Sequence, residues 1–129
     1  MVALDGVSPL TFTGVPENFY YVVLNHRNHL AVMSLDKVLL TKSLGGRVDF
    51  TTGVAYGNEP MHVFSNGTTA LFVGDTNDDG SINAADRSNT WNDRNQAGYL
   101  GADCDLNCSV NAADRSITWN NRNRFSQVP

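Results

Sequence analysis

The sequence predicts an α+β chain in two parts: a small β-sandwich or open barrel over residues 1–73, then a duplicated loop–helix unit over residues 74–129. Two observations carry this. The first half is a series of short aromatic and β-branched runs, broken by polar residues or Gly, with no helical period. The second half repeats itself. DTNDDGSINAADRSNTWNDRN (75–95) returns 28 residues later as DCDLNCSVNAADRSITWNNRN (103–123), with 13 of 21 positions identical.

The strand candidates follow in order: FYYVVLNH (19–26), HLAVMSL (29–35), KVLLTKS (37–43), RVDFTT (47–52), MHVF (61–64) and TTALFV (68–73). Asn66-Gly67 between the last two is a two-residue hairpin signal. Five to seven short strands of this kind suit a small sandwich or open barrel. No Pro- or Ser-rich linker precedes Asp75, so the last strand feeds the repeat directly, and a rigid joint is expected there. Helices are expected over 84–95 and 112–123. NHRNH (25–29) reads as a polar hairpin tip. A zinc site would want three or four converging ligands, and alternation puts His26 and His29 on opposite faces unless the chain turns at Arg27-Asn28.

Composition narrows the function. A net charge of −4 argues against nucleic acid as a general partner. No apolar run is long enough to span a membrane. MVALDGVSPL lacks the basic start and apolar centre of a signal peptide, so a cytosolic protein, a mature form or a piece of a larger one is expected. The sequence offers no Ser/His/Asp arrangement, no Gly-rich phosphate loop and no separated carboxylate pair, so no catalytic activity is expected.

The acidic residues are concentrated in the repeat: Asp75, Asp78, Asp79, Asp86, Asp103, Asp105 and Asp114 are seven of the chain's 13. The first twelve residues of each copy fit the EF-hand calcium loop. That loop wants side-chain oxygens at positions 1, 3 and 5, a backbone carbonyl at 7, an often water-mediated contact at 9 and a carboxylate at 12. Asp75, Asn77, Asp79, the Ser81 carbonyl, Asn83 and Asp86 fill these positions in the first copy. Asp103, Asp105, Asn107, the Ser109 carbonyl, Asn111 and Asp114 fill them in the second. A hard cation takes six to eight oxygens at about 2.3–2.6 Å, and a tightly wound loop is what converges them. Gly80 supplies the sharp turn. Ile82 and Val110 are apolar anchors expected to pair the two loops with each other. Two Ca²⁺ would cancel the formal charge of −4. The competing reading is a pair of Asx-rich turns capping two helices.

Position 12 is Asp in both copies, and TTALFV before the first loop is a strand, so each loop is followed, not preceded, by a helix. This loop-then-helix pair over about residues 74–123 resembles dockerin modules, which dock secreted enzymes onto cohesin partners. SNTWNDRN and SITWNNRN stand where dockerin helices more commonly carry an apolar and Lys-Arg run. With FYYVVLNHRNHLAVMS, VDFTT, AYGNEPMH and LFVGDTNDDG ahead of it, the chain also resembles the C-terminal regions of large secreted surface proteins of Gram-negative bacteria. That resemblance implies an extracellular address and an adhesive or assembly role.

Cys104 and Cys108 occupy positions 2 and 6 of the second loop. Cys108 replaces the turn glycine, and a Cβ in the left-handed region costs about 1 kcal/mol. A Cys104–Cys108 disulfide is expected to compensate by closing a short ring, worth roughly 2 kcal/mol; two free thiols are the alternative. On the helices, Arg87, Trp91 and Arg94, and likewise Arg115, Trp119 and Arg122, lie at i, i+4 and i+7 and share a face. They form either packing between the helices or a paired aromatic-basic docking face for a protein partner or further copies of the chain. Two function classes stand. One is a calcium-stabilised interaction or assembly module, including a self-assembling filament subunit. The other is a carbohydrate-binding module presenting Phe19, Tyr20 or Tyr21 to a glycan.

Overall fold

The computed structural model describes residues 12–42, 46, 48–52 and 54–129. Strand β1 (Asn18–Tyr20) pairs antiparallel with β4 (Val38–Leu40), β2 (Val23–His26) with β3 (His29–Met33), and β5 (His62–Val63) with β6 (Thr69–Ala70). The repeat adds β7 (Ser81–Ile82), paired with β8 (Arg124–Phe125), and helices α1 (Ala84–Asn92) and α2 (Ala112–Asn120). The chain is mixed α+β, and its described strands form four two-stranded antiparallel pairs.

Several elements depart from expectation for local reasons. The run 19–26 divides into two strands. Val22 N donates to Ser34 Oγ at 3.0 Å and Ser34 N to Val22 O at 2.8 Å, and β1 turns away to join β4. The run 47–52 does not extend as a strand; Phe50–Thr52 is a 3₁₀ turn, and residue 47 lies outside the described residues, as does residue 43 at the end of 37–43. Asp49 Oδ1 accepts from Thr51 N at 3.0 Å, a side-chain bond that competes with extended pairing. The Asn66-Gly67 hairpin forms with three loop residues instead of two. Gly67 N donates to Phe64 O at 2.9 Å with Gly67 at φ 82°, as in a type I turn closed by a left-handed glycine. The helices end at Asn92 and Asn120, three residues before the expected 95 and 123.

Two apolar clusters hold the chain. Val32, Ala55 and Met61 form one, with Leu24, Phe50 and Leu71 partly buried against it. Leu30, Phe72 and Ile82 form the other, which takes residues from both sides of the 73/74 boundary. Burying each such large side chain contributes about 1.5–3 kcal/mol. Backbone bonds reinforce the joint: Leu30 N to Phe72 O and Gly74 N to Asn28 O, both 2.8 Å. Asn121 Nδ2 on the far helix end donates to Val73 O at 2.8 Å, and Ser126 Oγ to Ala31 O at 3.0 Å. The contact expected at this joint is therefore present. Among the described residues no helix is long and apolar enough to cross a membrane.

Candidate cation loops and an arginine–tryptophan face

Each loop winds around its first carboxylate. In the first, Asp75 accepts from Asp79 N at 3.1 Å and Gly80 N at 2.9 Å. In the second, Asp103 accepts from Asn107 N at 3.1 Å and Cys108 N at 3.0 Å. The carboxylate at position 12 closes each loop. Asp86 accepts from Thr76 N and Asn83 N, both at 2.8 Å; Asp114 accepts from Cys104 N and Asn111 N, both at 2.8 Å. The same groups form a capping box at each helix start, where Asn83 and Asn111 accept from Ala85 N and Ala113 N at 2.7 Å. Position 4 is left-handed in both copies (Asp78 φ 57°, Leu106 φ 61°), and so is position 6 (Gly80 φ 81°, Cys108 φ 67°). The positive φ inferred for Cys108 is thus observed.

Asp75, Asp86, Asp103 and Asp114 are all buried. Burial raises the Asp75 carboxyl above the ordinary carboxylate range. The charges of Asp86 and Asp79 push it the same way, and the N–H groups of Gly80 and Asp79 oppose them. A group of like charges withdrawn from water is costly unless a cation joins it. In the second loop one oxygen each of buried Asp103, exposed Asp105 and buried Asp114 lie within 4.8 Å of one another, an acidic triad that could hold a metal ion. The first loop has Asn77 at position 3 in place of Asp105, an oxygen donor without the charge. These are hard oxygen donors of the kind Ca²⁺ takes. Asn77 and Asp79, and likewise Asp105 and Asn107, are linked side chain to side chain at 2.8 and 2.9 Å. Asn111 Nδ2 reaches Ser109 O at 3.2 Å.

The loops do not pair with each other through Ile82 and Val110. Each pairs with the chain leaving the other copy's helix. Asn95 N donates to Val110 O at 2.9 Å and Asn123 N to Ile82 O at 2.8 Å; Gly98 N donates to Cys108 O at 3.1 Å and Ser126 N to Gly80 O at 2.7 Å. Left-handed Asn95 and Asn123 (φ 66° and 67°) turn the chain out of each helix into this pairing, which explains the early helix ends. The two copies are consequently related by a pseudo-two-fold arrangement.

Cys104 and Cys108 are free thiols in the structure, not the bridge the sequence suggested. Position 2 faces the helix and position 6 faces solvent. Cys104 is buried with Sγ 3.4 Å from Thr118 Oγ1, while Cys108 is exposed. Burial, with the carboxylates around it, pushes the Cys104 thiol up to about 11.

The NHRNH segment is a hairpin tip, but its function in the fold was not apparent from the sequence. The chain turns at Arg27-Asn28, His26 and His29 face each other with Nδ1 atoms 2.9 Å apart, and Asn28 is fully buried between them. Asn28 Oδ1 lies 3.0 and 2.8 Å from the two Nδ1 atoms, and its Nδ2 donates to Asp103 O at 2.7 Å. Arg27 Nε donates to Leu100 O at 3.0 Å, its guanidinium stacks 3.6 Å from the Tyr99 ring, and Nη2 lies 3.9 Å from Asp103 Oδ2. The tip grips the first residue of the second loop. Burial, then the charges of His26 and Arg27, lower His29 to about 4.

The helix face is equally symmetric. Arg87 lies over Trp119 and Arg115 over Trp91, at 4.4 and 4.8 Å across the helix pair. Arg94 and Arg122 lie over the indoles of their own helices at 4.4 and 4.6 Å, and each donates Nη1 to that Trp's carbonyl at 2.9 Å. The tryptophans stay 49% and 37% exposed, so they edge the face and are not sealed between the helices. Arg87 Nε and Arg115 Nε are buried without a hydrogen-bond partner, at about 1–3 kcal/mol for each such donor.

Compared with family models, curated proteins and solved structures, the chain matches none.

Proposed function

We propose that the chain is a calcium-binding extracellular module for protein interaction or assembly. In this reading residues 74–129 form a dockerin-like pair of EF-hand loops holding two Ca²⁺, beside a small sandwich or open-barrel β-region over 1–73. The observation that supports it most is the duplicated winding: two loops with the same bond pattern, each aiming buried carboxylates at positions 1 and 12 inward. Asx capping alone accounts for Asn83 and Asn111, but not for burying Asp75 and Asp103. The docking surface is the doubled face of Arg87, Trp91, Arg94, Arg115, Trp119 and Arg122. Its partner is another protein or further copies of the chain, as in a surface filament, and no catalytic role is part of the reading. Calcium titration by calorimetry tests it. Two equivalents bound, with affinity on the order of 10⁻⁴–10⁻³ M as in extracellular modules, support it; no binding at millimolar calcium rejects it.

A second reading, glycan binding by the β half, has one observation in its favour. Phe19 and Tyr21 are exposed, and Tyr20 and Tyr21 line an apolar cleft of about 400 Å³ with Phe12 and Leu40. Tyr20 is tied by its hydroxyl to Pro16 O at 2.9 Å. Binding to a glycan array with loss on Tyr21→Ala is its test.

A further inference from the structure

We propose that the centre of the α1–α2 face binds the carboxylates of an acidic protein segment, with Arg87 and Arg115 as the central forks. The inference rests on reading this face as a docking surface and adds the chemistry of what docks. Four guanidiniums share the face, and among the described residues none has a carboxylate within ion-pair distance; the ion pair present there, Arg27–Asp103, lies at the hairpin tip. On a chain of net charge −4 this is a strong local reversal of sign.

The forks are held in place before anything binds. Arg94 and Arg122 are tethered to carbonyls and laid on indoles, while Arg87 and Arg115 are stacked across the helix pair with their Nε donors unsatisfied. A planar guanidinium fixed this way offers paired N–H groups that match a carboxylate bidentately and loses little freedom on binding. Two clefts of about 200 and 180 Å³ open beside them. Both are lined by Ala112 and Arg115, and the small Ala112 leaves room for an entering side chain.

The occupant is protein and not acidic glycan because each indole, though partly exposed, already stacks with two guanidiniums that a sugar ring would have to displace from the ring face. A second copy is disfavoured too. Among the described residues its exposed side-chain carboxylates outside the loops, Glu17, Asp36 and Glu59, are scattered singly along the chain, and those of the loops, Asp78, Asp79 and Asp105, sit where a bound cation would attenuate their charge.

The chain's two tryptophans, Trp91 and Trp119, both lie in the site, so intrinsic fluorescence reports on it directly. The full chain in saturating calcium and low salt is titrated with N-acetylated, C-amidated hexaglutamate. Heparin oligosaccharide and inorganic sulfate serve as parallel probes, with sedimentation of the chain alone alongside. The expected result is a saturable change in emission that fades with added salt. Arg87→Gln with Arg115→Gln weakens it by roughly tenfold or more, Arg87→Lys with Arg115→Lys less, and Arg124→Gln, whose guanidinium stacks on Phe72 instead of either tryptophan, not at all. Calcium-dependent melting of each variant is measured separately. Peptide binding with no effect of calcium on melting rejects the calcium reading alone, and the converse rejects this one alone. If the Gln pair does not fold, the Lys pair decides by the same comparison. No emission change overturns the proposal. So does equal loss with Arg124→Gln, tighter binding of heparin or sulfate than of the peptide, or self-association that uses the face.

Discussion

The first candidate cation loop is joined to the β half by apolar packing, with Ile82 against Leu30 and Phe72; the second is joined by a polar grip, with Asn28 and Arg27 on Asp103. The bonds that wind the two loops otherwise recur at matching positions. An apolar anchor behind a loop is indifferent to whether its oxygens hold a cation. A polar grip on the first carboxylate is not, because in the proposed calcium-bound form Asp103 would satisfy Arg27, two backbone N–H groups and the cation together. The sequence repeat therefore gives two similar loops, of which the second is tied to the hairpin tip at its first residue by polar contacts.

The largest expected effect breaks this contrast outright. Asp103→Ala leaves the N–H groups of Asn107 and Cys108 unpaired and removes the acid beside Arg27, for a loss of about 3–5 kcal/mol. Asp75→Ala strands the N–H groups of Asp79 and Gly80 but no arginine, and should cost about 1 kcal/mol less. Chemical denaturation in calcium compares the two, and equal losses would deny the grip on the second loop. Asn28→Ala comes next, at about 2–3 kcal/mol, since a fully buried amide loses its bond to Asp103 O and both histidine contacts. Calorimetry should show calcium affinity reduced at one site of two; equal reduction at both would contradict the assignment.

Cys108→Gly sharpens the comparison in the other direction. It relieves a Cβ at φ 67°, and stability should rise by about 0.5–1 kcal/mol, while Gly80→Ala in the first loop lowers it by a similar amount. Melting temperatures of the two variants read this directly. The last contrast is pH dependence at the tip. His29 binds its proton at about 4 in the fold against an ordinary 6.5, so the unfolded chain takes up protons first as pH falls. Stability from His29 is fully present above that ordinary value and is lost as pH drops toward 4. Against the parent, His29→Gln should flatten the melting profile over this window. An unchanged slope would show that His29 is not held neutral.

The loops were legible in the sequence because their information is local. An oxygen-bearing side chain at every second position, a turn residue at position 6 and a carboxylate three residues after an Asn cap are dictated within twelve residues, and repetition doubled the signal. The mixed α+β organisation was legible for the same reason, from aromatic and β-branched runs without a helical period followed by a repeated loop–helix pattern. What failed was non-local. Ile82 and Val110 were expected to face each other, but left-handed Asn95 and Asn123 carry each helix exit onto the opposite loop. The thiols of Cys104 and Cys108 are close in sequence yet face opposite sides of the loop, which spacing alone does not reveal. NHRNH gave its turn away but not its partner, since Asp103 lies 75 residues from Asn28. The split of 19–26 falls at Val22, which is bonded to Ser34 in a later strand region.

The most direct test of the central claim, that buried carboxylates in both loops are arranged for a cation, is thermal unfolding of the whole chain in millimolar calcium and in chelator. Empty loops keep Asp75, Asp79 and Asp86 in mutual repulsion, and likewise Asp103, Asp105 and Asp114. Each occupied site stabilises by RT ln(1 + [L]/Kd), about 1.4 kcal/mol at tenfold excess over Kd. The account predicts a clear upward shift of the midpoint with calcium, halved by Asp86→Asn or Asp114→Asn alone and abolished by both together. Identical midpoints in calcium and in chelator would contradict it.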